Sequence, residues 1–205
     1  MRVTIHWRSS HKHRILRWAS RVFFLTGCLA LGFVALTYFD AELYQIYSGW
    51  QLDDPPSLGE VSLPTPRADL RVYAREGSPL SRIAIPRLGV SVVVSEGIKP
   101  HTLARAAGHI PGTAFPDEIG NVGIAGHRDT FFRKLGEIQA DDVITLTTPE
   151  GSYEYAVEWS SVVTPSDVEV LEPSDTPLLT LVTCYPFTYV GPAPSRFIVR
   201  ARRVD

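Results

Sequence analysis

The chain has 205 residues, of which 44% are hydrophobic, and it carries 20 Lys and Arg against 22 Asp and Glu. This hydrophobic content excludes an intrinsically disordered chain, and a net charge of −2 disfavours a nucleic-acid binder that depends on an overall basic surface. The two cysteines are in no CxxC motif and have no His at zinc-finger spacing, so the sequence predicts neither a disulfide framework nor a structural zinc site.

The N-terminal segment has the charge pattern of a membrane anchor. Residues 1–21 contain six Lys or Arg and no acid, and residues 22–39 form a run of 18 residues without a charge. A helix over this run is about 27 Å long, close to the thickness of the hydrocarbon core of a bilayer. We therefore predict a transmembrane anchor at 22–39, with 1–21 in the cytoplasm and the rest of the chain outside, by the positive-inside rule. A cleaved secretory signal is the alternative, although the run ends in TYFD rather than in a small-x-small cleavage site.

Residues 40–79 are predicted to connect this anchor to a folded domain. The segment AELYQIYSGW at 41–50 can prolong the helix, with its aromatic side chains at the membrane interface. After it, five prolines between positions 55 and 79 disfavour both a helix and a central strand. The sequence therefore predicts the end of a juxtamembrane helix followed by an extended tether.

The remaining residues, 80–205, have the size of one domain. Short apolar or alternating runs rich in Val, Ile, Thr and Tyr predict strands, which favours a closed barrel or a sandwich. Two segments, 99–106 and 129–138, are predicted to be helical. The predicted strands are 81–85, 89–94, 121–125, 142–146, 152–158, 178–183 and 197–201.

Three residues with useful chemistry lie where a predicted strand meets a loop. Cys184 ends one apolar strand, His127 follows another, and Arg196 begins the last. Together they can supply a nucleophile, a general acid or base and an oxyanion donor for acyl transfer. Each also has a simpler interpretation, as a packed small hydrophobe, a loop histidine and a rim arginine. Their spacing alone identifies no family.

The sequence around these residues resembles the sortases, the membrane-anchored cysteine transpeptidases of bacterial surfaces. The resemblance is carried by TLVTC at 180–184, GHRDTFF at 126–132 and SRFIVRA at 195–201. It extends through GHIPGTAFPDEIGNVGIAGHRDTFF at 108–132, covers essentially all of 80–205, and is greatest to the class D-like group. It implies that this region is a closed eight-stranded β-barrel with one or two short helices.

The resemblance also implies a role for each matching residue. Cys184 is expected to attack an LPxTG-like sorting-signal peptide of a secreted surface protein and form a thioacyl enzyme. His127 is expected to protonate the leaving amine and deprotonate the incoming one, and Arg196 to bind the substrate carbonyl. Thr183 is expected to donate its hydroxyl in the same site. The implied acyl acceptor is an amine of a cell-wall precursor or a pilin lysine.

Two alternatives stay open on the residues alone. One is a membrane-tethered barrel that binds a peptide or glycan, with Cys184 merely packed, and the other is a cysteine protease that transfers the acyl group to water. The Cys-before-His order of papain-like enzymes is absent. No cofactor or metal is predicted, since Asp141 and Asp142 have no third oxygen ligand at a suitable spacing. His109 is predicted to have a structural hydrogen-bonding role.

Overall fold

The computed structural model describes residues 10–53, 75–189 and 191–204. The chain divides into two compact units, Met1–Asp40 and Ala41–Asp205. Most of the predicted tether, at 54–74, lies outside the described residues, as do the first nine residues of the predicted cytoplasmic segment.

A long helix, α1, runs over Ser10–Asp53 and contains the whole of the predicted anchor. Its stretch Arg14–Gly49 is long and apolar enough to cross a membrane, and none of its most apolar window is buried inside the protein. Phe23, for example, is 79% exposed, and such a surface is costly to leave in water. Both threonines of the anchor donate their hydroxyls to carbonyls three residues earlier, at 3.0 and 2.8 Å, which satisfies these polar groups within the helix. α1 could therefore span a bilayer.

The rest of the described chain is built mainly of eight strands. These are β1 Pro79–Ile85, β2 Val90–Glu96, β3 Ala107–His109, β4 Asn121–Ala125, β5 Val143–Thr148, β6 Gly151–Val163, β7 Leu178–Tyr185 and β8 Ser195–Arg203. They close into a barrel in the order β1-β2-β3-β4-β7-β8-β6-β5, which confirms the predicted fold class. Neighbouring strands are antiparallel except for the parallel pairs β2 with β3 and β4 with β7. Helix α2 covers Pro100–Leu103, and 3₁₀ helices cover Pro86–Leu88, Arg133–Glu137 and Val168–Leu171.

The interior of the barrel is filled by aliphatic side chains. Residues from five strands belong to one hydrophobic cluster and are 0% exposed: Ile83, Ile124, Leu146, Leu181 and Val199. Full burial of each such side chain contributes about 1.5–3 kcal/mol. Because successive side chains of a strand point to opposite faces, the residues between these core positions lie on the outside of the barrel.

Two strands differ from the sequence prediction. β3 was absent from it, because three residues are too few for an alternating pattern to be recognised. In the structure β3 is buried and joins β2 to β4. β6 has 13 residues and continues well beyond the predicted end at 158, because its second half pairs with β8 after an irregularity in register.

The two predicted helices are shorter than expected. The segment 99–106 forms α2, with Pro100 in its first turn, and the chain then leaves the helix to enter β3. The segment 129–138 forms the 3₁₀ helix Arg133–Glu137, whose buried Leu135 packs into the core. In both segments tertiary packing limits a helical pattern that is weak by itself.

Within the second unit, the last turns of α1 lie against the barrel. The Tyr44 hydroxyl donates to the Gly77 carbonyl at 2.8 Å. The Gln45 amide accepts from the Val93 backbone N–H at 2.8 Å and donates to the Arg105 carbonyl at 2.7 Å. Val93 precedes the part of β2 that pairs with β3, so Gln45 satisfies a strand N–H that β3 does not reach.

The loop before β5 is fixed by an ion pair. Arg87 donates through Nε and Nη2 to the two carboxylate oxygens of Asp142 and also donates to the Glu137 carbonyl at 2.7 Å. The Gln139 N–H donates to the same carboxylate at 2.8 Å. Hydrogen bonding from Arg87 lowers the pKa of Asp142, although burial acts in the opposite direction.

We predict that Asp142→Asn destabilises the protein at neutral pH more than at low pH. A carboxyl whose pKa is lower in the folded chain than the unfolded value of about 3.9 stabilises the fold above that value, and loses this contribution as the pH falls through the folded pKa. Unfolding of the full-length chain in detergent at neutral pH and near pH 3 measures the difference. Asp141→Asn is the control, because Asn tolerates the positive φ of 69° at that position. An equal loss of stability for Asp142→Asn at both pH values would contradict the stabilising role of the Asp142 carboxylate.

Candidate active site

The strands β4, β7 and β8 lie side by side, with β7 in the middle. Leu181 of β7 belongs to the core, so Val182 lies on the outer face, Thr183 on the inner face and Cys184 on the outer face again. In register, Cys184 is opposite Arg196 of β8. The alternation of side chains along β7 therefore places the thiol outside the barrel, and the register places it next to the arginine.

A groove with a volume of about 410 Å³ lies on this outer surface. Ala125 of β4, Val182 of β7 and Ile198 of β8 are neighbours in register and form its floor. Part of its wall comes from the chain that follows β6, which includes the 3₁₀ helix Val168–Leu171. Other apolar side chains that line the groove are Ile98, Leu103, Ile110, Val163 and Pro165.

The structure brings the three predicted catalytic residues to this one groove. His127, Cys184 and Arg196 all line it, although the first two are far apart in sequence. Cys184 is half-buried, so its thiol can be reached from the groove. A thiol, an imidazole and a guanidinium thus share one surface, and these are chemical groups that acyl transfer can use.

His127 is positioned by the backbone on both sides of it. The Gly126 N–H donates to the Val182 carbonyl at 3.0 Å, which continues the pairing of β4 with β7 by one residue. The His127 carbonyl accepts from the Phe132 N–H at 3.0 Å, and the Phe132 side chain is fully buried. A Cβ at position 126 would lie 2.6 Å from the Phe132 ring. Glycine is therefore required directly before the histidine.

Thr183, the fourth predicted site residue, lies beside the groove with its side chain turned inward. It is 2% exposed, and its hydroxyl donates to the Gly126 carbonyl at 2.7 Å. In this structure the hydroxyl proton is therefore used within the protein. Thr183 ties β7 to the residue before His127, and its predicted contact with a substrate stays a prediction.

Arg196 lies at the start of β8, on the strand next to the thiol. Its Nη1 donates to the Ala193 and Ser195 carbonyls at 3.2 and 2.9 Å. These contacts hold the side chain against the loop between β7 and β8. Nε and Nη2 have no partner within the described part of the chain, so a guanidinium edge is available to an oxygen atom in the groove.

A buried polar cluster that was not predicted from the sequence holds the wall of the groove. Asn121 on β4 donates to the Val170 and Glu172 carbonyls, both at 3.1 Å, and Arg200 on β8 donates to the Val170 carbonyl at 2.7 Å. Thr180 on β7 donates to the Asn121 side-chain oxygen at 2.6 Å. Asn121 and Thr180 are 2% and 0% exposed. All three strands below the groove thus fix the 3₁₀ helix that forms its wall.

The sequence does contain a signal for this cluster. Asn121 and Thr180 are polar residues at outward positions of strands whose neighbouring residues are apolar. A polar side chain that is covered by another segment must find partners there. Burial lowers the pKa of Arg200, which is consistent with its guanidinium being partly covered by this segment.

His109 lies away from the thiol and has the contacts of a structural residue. Its Nδ1 is 2.7 Å from Glu96 Oε2 and its Nε2 is 3.0 Å from the Ala114 carbonyl. The ring stacks on Phe115 with a centroid separation of 4.8 Å. These contacts connect His109 to Ala114 and Phe115 in the loop that follows β3. Within the residues that the structure describes, no group of three His, Cys, Asp or Glu side chains is arranged to hold a metal ion.

Residues 83–204 match the family described as Sortase, the sortase domain. Sortase D of Bacillus subtilis (strain 168) is 34% identical over 123 residues, which are 60% of this chain and 62% of that protein. Sortase A of Bacillus anthracis is 30% identical over 109 residues, which are 51% of each chain. The matched region thus spans less than two thirds of the length of both relatives.

Solved structures share the barrel. A Clostridium perfringens Sortase D5 transpeptidase has a TM-score of 0.67 at 27% identity, over 81% of this chain and 99% of that chain. Sortase E1 from Streptomyces coelicolor, with a tripeptide in its active site, has a TM-score of 0.57 at 31% identity, over 63% of this chain and 90% of that chain. The matches to Sortase D and Sortase D5 confirm the predicted similarity to class D. Because the sortase domain covers more than half of the sequence, from β1 to just past β8, the chain belongs to the sortase family.

Proposed function

We propose that the protein is a cysteine transpeptidase that cleaves an LPxTG-like sorting motif of surface proteins and transfers the acyl group to an amine. The observation that carries the proposal is that His127, Cys184 and Arg196 border one groove on the outer face of the barrel. The description of the Sortase D5 relative as a transpeptidase supports the same type of reaction.

In the first half of the proposed reaction, the Cys184 thiolate attacks the carbonyl carbon of the Thr in the motif, and a C–S bond forms. Arg196 donates hydrogen bonds to the carbonyl oxygen as it becomes negative. The C–N bond to the next residue then breaks, and the leaving amine takes a proton from the His127 imidazolium. The products are a thioester on Cys184, a neutral His127 and a free amine.

In the second half, an acceptor amine attacks the thioester. His127 takes a proton from this amine, an amide bond forms, and the C–S bond breaks to return the Cys184 thiolate. The thiolate and imidazolium with which the cycle began are thereby restored. Water can compete with the amine at this step, which gives hydrolysis as a side reaction.

The groove fits the apolar part of such a motif. Its volume of about 410 Å³ is within the range of peptide and small-ligand pockets, and its floor and walls are mostly aliphatic. Leu and Pro side chains gain free energy on leaving water for such a surface. The thiol lies within the same groove, so a bound motif can place its Thr carbonyl near Cys184.

We further propose the arrangement of the whole chain. Residues 1–21 are cytoplasmic, 22–39 anchor the protein in the membrane, 40–79 form the juxtamembrane helix end and linker, and 80–205 form an extracytoplasmic catalytic domain. Support comes from the apolar helix α1 and from the basic residues before it. In this position the enzyme meets secreted substrates and the amines of cell-wall precursors or pilin lysines.

We predict that the full-length chain in detergent forms a thioacyl adduct with LPxTG- or LPxTA-type peptides. Intact-mass analysis should show the added acyl fragment, and an added amine should remove it as a new amide. Cys184→Ala should form no adduct, whereas Cys28→Ala, which keeps the thiol of the groove, should behave as wild type. A wild-type thiol that reacts with iodoacetamide but forms no adduct with any peptide would favour a binding protein instead.

We predict that His127→Ala and Arg196→Ala reduce kcat without abolishing alkylation of Cys184. Removal of the acid–base group should cost about 10²- to 10⁴-fold, and removal of the oxyanion donor about 10²- to 10³-fold. Arg196→Lys should recover only part of the loss, because an ammonium cannot reproduce the planar fork of a guanidinium. If either alanine variant kept the wild-type kcat, the proposed role of the substituted residue would be wrong.

We predict that Asn121→Ala raises the KM for the peptide about tenfold and changes kcat less. The substitution removes the two hydrogen bonds from Asn121 to the groove wall, so the Glu172 carbonyl loses this donor and the Val170 carbonyl keeps the one from Arg200. Steady-state kinetics with a fluorogenic peptide measures the effects on KM and kcat separately. Ser174→Ala is the control, because its hydroxyl bonds to Thr176 within the same loop. A fall in kcat with unchanged KM would contradict the assigned role.

A further inference from the structure

Arg128, the residue after His127, is a buried cation that contacts the backbone of one loop. Its side chain is 6% exposed. Nη1 donates to the Pro186 carbonyl at 2.7 Å, and Nη2 donates to the Tyr189 carbonyl and, at 3.5 Å, to the Gly191 carbonyl. The guanidinium thus donates hydrogen bonds to several carbonyl oxygens of the loop that joins β7 to β8.

This loop cannot satisfy its carbonyl groups as an ordinary hairpin does. Prolines at 186, 192 and 194 remove backbone N–H donors from the chain between the two strands. A guanidinium carries five N–H donors in a fixed plane and can supply several carbonyls at once. The nearest carboxylate, that of Asp129, lies 3.4 Å from Nε and its side chain is 65% exposed. The charge of Arg128 is therefore compensated mainly by carbonyl dipoles of the loop.

The loop joins the other two residues of the proposed mechanism. It begins two residues after Cys184 and ends directly before Ser195 and Arg196. Arg196 itself donates to carbonyls at the far end of the loop, as described above. The two guanidinium groups therefore hold different parts of the same loop, with Arg128 at the first part and Arg196 at the last.

The residue before His127 is already fixed, because Gly126 is hydrogen-bonded to Val182 and Thr183 of β7. Arg128 adds the second connection, from the residue after the histidine to the loop that follows the thiol. We infer that Arg128 is a positioning residue, which holds the β7–β8 loop against the turn of His127 and so sets the arrangement of His127, Cys184 and Arg196 before substrate binds. This inference rests on the proposed function for the roles of these three residues.

The test compares Arg128→Lys and Arg128→Met with wild type, all as full-length chains in detergent with Cys28→Ala, so that Cys184 is the one cysteine left to alkylate. Alkylation by iodoacetamide is followed by intact mass from about pH 5 to about pH 10, and kcat and KM are measured with the sorting peptide. Arg87→Lys is the matched control, since Arg87 also donates to a backbone carbonyl and a carboxylate, but its partners are Glu137 and Asp142 instead of the β7–β8 loop.

We expect Arg128→Lys to lower kcat about 10- to 100-fold, because misplacement of reacting groups by about 1 Å can have effects of up to this size. KM should change less than about threefold, since the floor and wall of the groove stay in place. The alkylation profile should move by about half a pH unit or more, because displacement of the loop changes the distance from the thiol to the cationic groups near it. Arg87→Lys should lose thermal stability but keep the wild-type kcat and profile.

A folded Arg128→Lys variant with wild-type kcat and a wild-type alkylation profile would overturn the inference. Thermal melting shows first whether each variant folds. If Arg128→Met does not fold, Arg128→Lys alone tests the inference, because lysine retains the charge and most of the length of the side chain. Should the wild type form no thioacyl adduct, the proposed function fails by itself. The alkylation profiles need no peptide and still show whether Arg128 sets the surroundings of the thiol.

Discussion

The interior of this closed eight-stranded barrel is filled by side chains, so a bound molecule has to lie on its outside or at its rim. Here the aliphatic residues of every second position fill that interior, and the intervening positions of β4, β7 and β8 form an outer surface. Because β7 is paired on both sides, the residue opposite Cys184 is fixed by register as Arg196. The packing of the core therefore determines which side chains can meet in the groove, and a shift of one residue in β7 would turn the thiol inward.

The rim of the groove is held by a different kind of interaction. In the described residues of the 3₁₀ helix above the groove and of the proline-containing loop between β7 and β8, the carbonyl groups do not pair with a neighbouring strand. Side-chain donors replace this pairing. Asn121 and Arg200 bind the carbonyl of Val170, and Arg128 binds carbonyls of the other loop. Each donor extends from a strand of the barrel or from the turn directly after one, so irregular segments are positioned by regular ones.

Most of the strands could be predicted from the sequence, because an alternating or apolar pattern is visible in residues that are neighbours along the chain. Seven of the eight strands and the placement of Cys184 at a strand end follow from such local patterns, whereas the three residues of β3 carry too short a pattern. The carbonyl contacts of Asn121 and Arg128 depend on loops that are distant in sequence, Val170 in one case and Pro186 in the other. Their positions become predictable only when the register of β4 against β7 is known.

The end of α1 shows that the barrel is not complete without its N-terminal extension. Gln45 bonds to the Val93 N–H and the Arg105 carbonyl with one amide group, and Tyr44 bonds to Gly77 just before β1. A backbone N–H that no neighbouring strand reaches needs another acceptor or water. The Gln45 side chain supplies this acceptor through its oxygen, and through its nitrogen it donates to the Arg105 carbonyl. The helix end is thus part of the folded unit Ala41–Asp205. A domain defined by its strands alone would lose these contacts.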